Sequence, residues 1–155
     1  MQLREETRVL IGGPSSAMIG VVGAGSRPLV SRVWGAEIVS EEGRIRVLAD
    51  PDAPGLRAAL VHGGRVAVVF AACDDYRSVQ LKGCVVGIDD GVADHDVHLR
   101  ARYRDDFAGV NIPLGFPPDA TAAMEPPGWF GITLEVDAVF DQTPQPGAGV
   151  AGEPR

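Results

Sequence analysis

The chain of 155 residues holds one lysine, two cysteines and few aromatic residues, 6% in all. The cysteines, Cys73 and Cys84, form no CxxC pair and no zinc-ligand spacing, so a disulfide framework and a structural zinc site are both excluded as organising features. In a reducing compartment both are expected to be free thiols of the core. No apolar run approaches the ~18 residues of a membrane-spanning helix. The first ten residues, MQLREETRVL, carry charges where a secretory signal needs its apolar stretch, so the expected compartment is the cytoplasm. Basic charge is also short. Fourteen basic residues face 21 acidic ones, for a net charge of −7. That balance argues against binding nucleic acid, where affinity rests on neutralised phosphates.

Several motifs stop short. Val21–Gly25 opens like a dinucleotide fingerprint, but the third glycine position is Pro28 and no crossover helix follows. GxSxG is absent, and no Ser-His-Asp or Cys-His arrangement has a recognisable motif. Asp94, His95, Asp96 and His98 cluster like metal ligands. Only Asp94 and His98 share a helical face, however, and acidic residues at a helix start are expected from the dipole alone.

What the chain does have is punctuation. Twenty glycines and 12 prolines suit short strands and turns better than a helical bundle. Strands are predicted at 15–24, 29–39, 44–49, 65–72, 76–89 and 130–141, and helices at 2–10, 56–62 and 94–107. His95, Leu99, Tyr103 and Phe107 recur every fourth residue and predict the buried stripe of the last helix. Residues 108–128 read as irregular. In the last strand, Ile132, Leu134, Val136, Ala138 and Phe140 alternate onto one face. Six strands joined mostly by hairpins close most economically as a small antiparallel barrel, which removes open edges. The fold class is therefore mainly β, with residues 1–142 as one domain and 143–155 as a Pro/Gly-rich tail.

Two patterns carry chemistry. Strict alternation puts Arg32 on the face of Val30, Trp34, Ala36 and Ile38. An arginine among apolar neighbours needs a carboxylate, a phosphate or a pocket mouth. Tyr76, Ser78, Gln80 and Lys82 form a polar row on one face of a strand. That row either meets solvent or hydrogen-bonds the edge of a flat heteroaromatic ligand.

The segments RPLVSRVWGAEI (27–38), RIRVLAD (44–50), GGRVAVVF (63–70) and YRSVQLKG (76–83), in this order and spacing, resemble the flavin-binding split-barrel family, the pyridoxamine 5'-phosphate oxidase-like group. The strand and tail VFDQTPQPGAG (139–149) resemble the C-terminal end of short bacterial members. The resemblance implies a six-stranded split barrel and a homodimer with flavin mononucleotide (FMN) in grooves between subunits. It implies that Arg32 faces the cofactor phosphate, that Val33 and Trp34 lie along the isoalloxazine, and that Leu48 and Ala49 give backbone contacts to the ring edge. It also implies that Arg77, Ser78 and Gln80 reach in from the neighbouring subunit. The oxidases hold the phosphate with a Ser-Arg-Lys-like triplet, where this chain has Pro54, Gly55 and Leu56. Arg57, one position beyond, is the substitute cation. The oxidases' C-terminal substrate extension is missing, so pyridoxamine phosphate is not the expected substrate. The expected function is FMN-dependent oxidoreduction of a small molecule. The alternative is a binding module for flavin, deazaflavin or haem with a degenerate phosphate site, His62 being the best-placed axial ligand for haem.

Overall fold

The computed structural model describes residues 1–90 and 93–145, so most of the expected tail lies outside the described residues. In chain order the elements are α1 (Glu5–Gly12), β1 (Ser15–Val22), a 3-10 turn (Ala24–Ser26), β2 (Pro28–Ser40), β3 (Arg44–Ala49) and α2 (Leu56–Ala59). They continue as β4 (Arg65–Ala72), β5 (Ser78–Asp89), α3 (Asp94–Asn111), α4 (Pro118–Ala123) and β6 (Phe130–Asp141). The six strands close into an antiparallel barrel in the order β1-β2-β3-β6-β5-β4. Closure leaves no open edge, and alternate residues turn inward to fill the interior. Ile19, Val33, Ile45, Val68, Phe70 and Ile132 have no exposed surface. Helix α1 packs against β2, β4 and β5 and adds Leu10 and Ile11 to this core, which Leu3, just before the helix, also joins. Arg8 fastens it to the β2–β3 turn through two hydrogen bonds to Glu41, at 3.1 and 3.2 Å.

All six strands fall where the sequence places them. The faces differ at two bulges. Val33 pairs with Ala49, but Ala36 pairs with Val47, so β2 carries one residue more than β3 between these pairs. The extra residue reverses the alternation. Arg32 and Trp34 keep the outer face, while Ala36 and Ile38, expected beside them, join the core. In β6 the pairs Lys82–Ala138 and Gly83–Val136 mark a second bulge. Beyond it, Val139 takes the core-facing position, and Ala138 and Phe140 leave the apolar row predicted for them.

Helix α3 runs four residues past its expected end, and its buried stripe is Asp96, Leu99, Tyr103, Phe107 and Asn111. His95 is not part of it. It lies exposed and hydrogen-bonds Glu37. Helix α2 is only four residues long, because Leu60 is already extended. A short helix, α4, stands inside the stretch read as irregular, started by Pro118 at its first turn.

Candidate functional site

The outer face of β2 and the inner face of α3 form one layer. Gly35 lets the helix come close, since a Cβ there would sit 3.1 Å from Leu48 and 3.2 Å from Leu99. The helix is held near its start by Asp96, which accepts from Arg46 Nε and Nη2 at 2.8 Å each, with no surface of its own exposed. Arg46 also donates to Asp89. Further along, Arg102 donates to the Ala36 carbonyl at 3.2 Å and the Tyr103 hydroxyl to the Ser15 carbonyl at 2.8 Å. Burial pushes the Tyr103 hydroxyl pKa up, and the neighbouring Arg32 partly offsets this.

Arg32 sits in this layer between two rings. Its guanidinium carbon is 4.8 Å from the Trp34 ring centre and 4.7 Å from that of Phe107. Each face contact of this kind contributes about 0.5–2 kcal/mol, depending on desolvation. Stacking satisfies the faces of a guanidinium but not its edge. Arg32 Nε and Nη2 are buried without an acceptor, and so is Nε1 of Trp34, a residue only 8% exposed. No carboxylate of the described residues pairs with Arg32. The carboxylate partner that local reasoning allowed is therefore not what holds it. Two other buried edges lack acceptors, Arg100 Nε and Trp129 Nε1, but Arg100 already has Glu125 as counter-ion and stacks on Trp129 at 4.2 Å.

The remaining candidates separate into groups. Val33 and Ala49 turn into the barrel with no exposure, so their side chains fill the core. Leu48, equally buried, lies under α3 beside Gly35. Arg57 is committed to Asp90, with bonds of 2.5 and 2.7 Å. Their hydrogen bonds hold the Asp90 carboxyl below its ordinary pKa and the Arg57 guanidinium above its own. The residue before α2, Gly55, is left-handed with φ of +75°, and a single turn of helix has little dipole to offer an anion. Arg77 is exposed and bonds to Asp75, and Tyr76 sits in the turn with φ of +61°. Ser78 lines a cleft of about 440 Å³ between the N-terminal segment and the ends of β5 and β6. Gln80 faces outward from β5, opposite Val69 and Phe140. His62 is exposed after α2.

Sequence reasoning missed Arg46 and Asp96, which seat α3. The only signal was spacing: Asp96 precedes Leu99, Tyr103 and Phe107 by 3, 7 and 11 residues, the true helical stripe. Arg46, Asp96, Glu37 and His95 border an open cleft of about 680 Å³. Among the described residues, no group of three or more His, Cys, Asp or Glu side chains is arranged to hold a metal ion. No described helix is long and apolar enough to cross a membrane.

No protein-family model matches the sequence, and no curated protein matches it. Solved structures do. HupZ of Group A Streptococcus is similar over 96% of this chain and 99% of its own, at 16% identity and a TM-score of 0.58. An F420 reductase aligns over 88% of this chain and 98% of its own, at 20% identity and a TM-score of 0.56. A protein related to general stress protein 26, of the pyridoxinephosphate oxidase family, from Clostridium acetobutylicum, aligns over 90% and 87%, at 12% identity and a TM-score of 0.51. The closed six-stranded barrel and these likenesses together give the chain the split-barrel fold of the pyridoxamine 5'-phosphate oxidase-like proteins.

Proposed function

We propose that this chain binds a flavin-type cofactor, FMN in its specific form, beside the outer face of β2, and serves hydride or electron transfer to or from a small organic molecule. The observation that carries this reading is the set of three buried N–H groups without acceptors, on Arg32 and Trp34. A buried charged donor left unmade costs about 1–3 kcal/mol, which a phosphate oxygen would remove. The fit is local. The donors of β2 suit a phosphate, whereas residues 54–57 do not, because Arg57 is already neutralised by Asp90. A bound flavin would supply the redox chemistry of its own ring. The chain's part is to hold the phosphate with Arg32 and the indole N–H of Trp34 and so fix the position of the rest. No described side chain is assigned as acid or base.

A second subunit belongs to this reading. The cross-strand row Arg32, Met18, Val69, Gln80, Phe140 runs around the outside of the barrel, and Val30 and Val22 stand exposed beside it. A homodimer that covers this row would bring Gln80 and Ser78 of one copy toward β2 of the other. One observation favours the binding module instead: the second cation expected for the phosphate, Arg57, is tied to Asp90.

The test is titration of the purified protein with FMN and riboflavin, read by flavin fluorescence and visible absorption. FMN is expected to bind at micromolar concentration and more tightly than riboflavin. Arg32→Ala should weaken FMN roughly 10- to 100-fold, the loss of a charged hydrogen-bond donor, and leave riboflavin nearly unchanged. A colourless protein that ignores millimolar FMN sinks the reading.

A further inference from the structure

The polar ties between α3 and the barrel are unevenly spread. Asp96 to Arg46, His95 to Glu37, Arg102 to Ala36 and Tyr103 to Ser15 all lie in the first two-thirds of the helix. Residues 104–111 make no hydrogen bond or ion pair to the barrel among the described residues. Arg104 pairs with its neighbour Asp105, and the Asn111 amide bonds back to the Phe107 carbonyl inside the helix. The buried side chains of this end are Phe107 and Asn111, and the Phe107 ring covers one face of the Arg32 guanidinium and stacks against Tyr103, with centroids 6.1 Å apart. Beyond it, Ile112, Leu114 and Phe116 are exposed, and Gly115 adopts φ of +100°. The least fastened part of the helix thus carries the ring that covers Arg32, two of whose buried N–H groups lack acceptors. Those donors are at once buried and unmet, an arrangement that costs free energy unless another state repays it.

We propose that residues 104–111 of α3 form a lid over an oxyanion site made by Arg32 and Trp34. When a phosphate-bearing ligand arrives, Phe107 leaves the guanidinium and the anion takes Nε and Nη2 of Arg32. The ties at Asp96 and Tyr103 act as the hinge side. The lid makes binding conditional on charge. A dianionic phosphate gains enough from the freed donors to replace the Phe107 stack, and an unphosphorylated ring does not. This rests on the reading of Arg32 as an oxyanion ligand, and the experiment separates the two.

Backbone hydrogen exchange is followed in the full chain, alone and with saturating FMN or inorganic pyrophosphate, with binding confirmed by calorimetry. Exchange at 104–111 is expected to rise severalfold on binding, with 94–103 unchanged, and the rise should vanish in Arg32→Lys. In parallel, Phe107→Leu keeps an apolar residue at the site but removes the ring. It should tighten FMN severalfold without affecting riboflavin. If FMN binds and 104–111 exchange no faster, the lid is wrong while the cofactor reading stands. If pyrophosphate loosens 104–111 but FMN does not bind, the cofactor reading falls and the lid stands. If neither ligand binds, both fall. Equal tightening of FMN and riboflavin by Phe107→Leu also overturns the lid, since Phe107 would then not be guarding an anion.

Discussion

Arg46 binds two carboxylates, and the more important is Asp96, which has no exposed surface and seats the start of α3. The pair is close enough that Arg46 holds the Asp96 carboxyl below its ordinary range and is itself pushed up. Asp96→Asn removes the buried carboxylate and leaves Arg46 with the exposed Asp89 alone, so it should cost about 2–3 kcal/mol at neutral pH. The sign of the pH effect follows from a lowered folded-state pKa. The contribution is complete above the unfolded carboxylate value, about 3.9, and is lost as pH falls through the lower folded value. Urea unfolding of wild type and variant should therefore differ at pH 7 and converge below about pH 4. A gap that stays constant down to pH 3 would assign the cost to packing instead. Gly131 belongs to the same arrangement, because a Cβ there would meet Arg46 Nη2 at 2.1 Å. None of this was legible in the sequence. The partners are fifty residues apart, and no local pattern marks which of 21 acidic residues a given arginine will find. Arg32 was legible as an arginine out of place, because its apolar neighbours are adjacent in sequence. That its faces would be met by Trp34 and Phe107 while Nε and Nη2 found no acceptor was not.

Strands were read correctly because hydrophobic alternation and glycine punctuation are local signals. Their faces were misread where a bulge adds a residue, since a shift of one exchanges inside for outside. The bulge in β2 moved Ala36 and Ile38 inward, and the one in β6 moved Ala138 and Phe140 outward. Gly83 marks the second. Its need for glycine comes from close approach. A Cβ at Gly83 would lie 2.2 Å from the Glu135 carbonyl oxygen, a backbone atom of the neighbouring strand that cannot swing away. Gly87, in the same strand, has only Thr133 side-chain atoms near, at 3.4 and 3.6 Å. Gly83→Ala is therefore expected to destabilise by about 2 kcal/mol or more, and Gly87→Ala by well under 1. Denaturant midpoints of the two variants check this. Equal costs would mean that β6 can yield at the bulge. The helices were less legible than the strands. Periodicity predicted α3 and its start at Asp94, but the buried stripe was taken to begin at His95 when the buried position is Asp96, because a carboxylate is assigned to the surface unless its partner is known.

At the scale of the molecule, the barrel has one conspicuous feature left after its core is filled. Met18 is 48% exposed and Val30 61%, and both stand in the strands next to and including the one that carries Arg32. Exposed apolar residues scattered singly are ordinary, but a continuous cross-strand set marks a contact surface. The row is continuous because antiparallel register aligns outer positions of β2, β1, β4, β5 and β6 in one belt. A second copy of the same belt is the occupant that the proposed function requires, since Ser78 and Gln80 lie far around the barrel from Arg32 within one chain. A stable contact of this kind buries roughly 800 Å² on each side, and one buried carboxylate in it is costly. Light scattering at micromolar concentration is expected to give twice the chain mass of 16.3 kDa. Val30→Glu, at an exposed position that burdens no core packing, should return the monomer mass with little loss of thermal stability in the barrel itself. The same variant then asks where the cofactor site resides. Loss of FMN binding together with the dimer would mean that residues of both copies build it. Retention of FMN by the monomer would place the whole site between β2 and α3, and Gln80 and Ser78 would then have no part in it. A wild-type mass of 16.3 kDa would remove the second subunit from the proposal, while Arg32 and Trp34 kept their unmet donors.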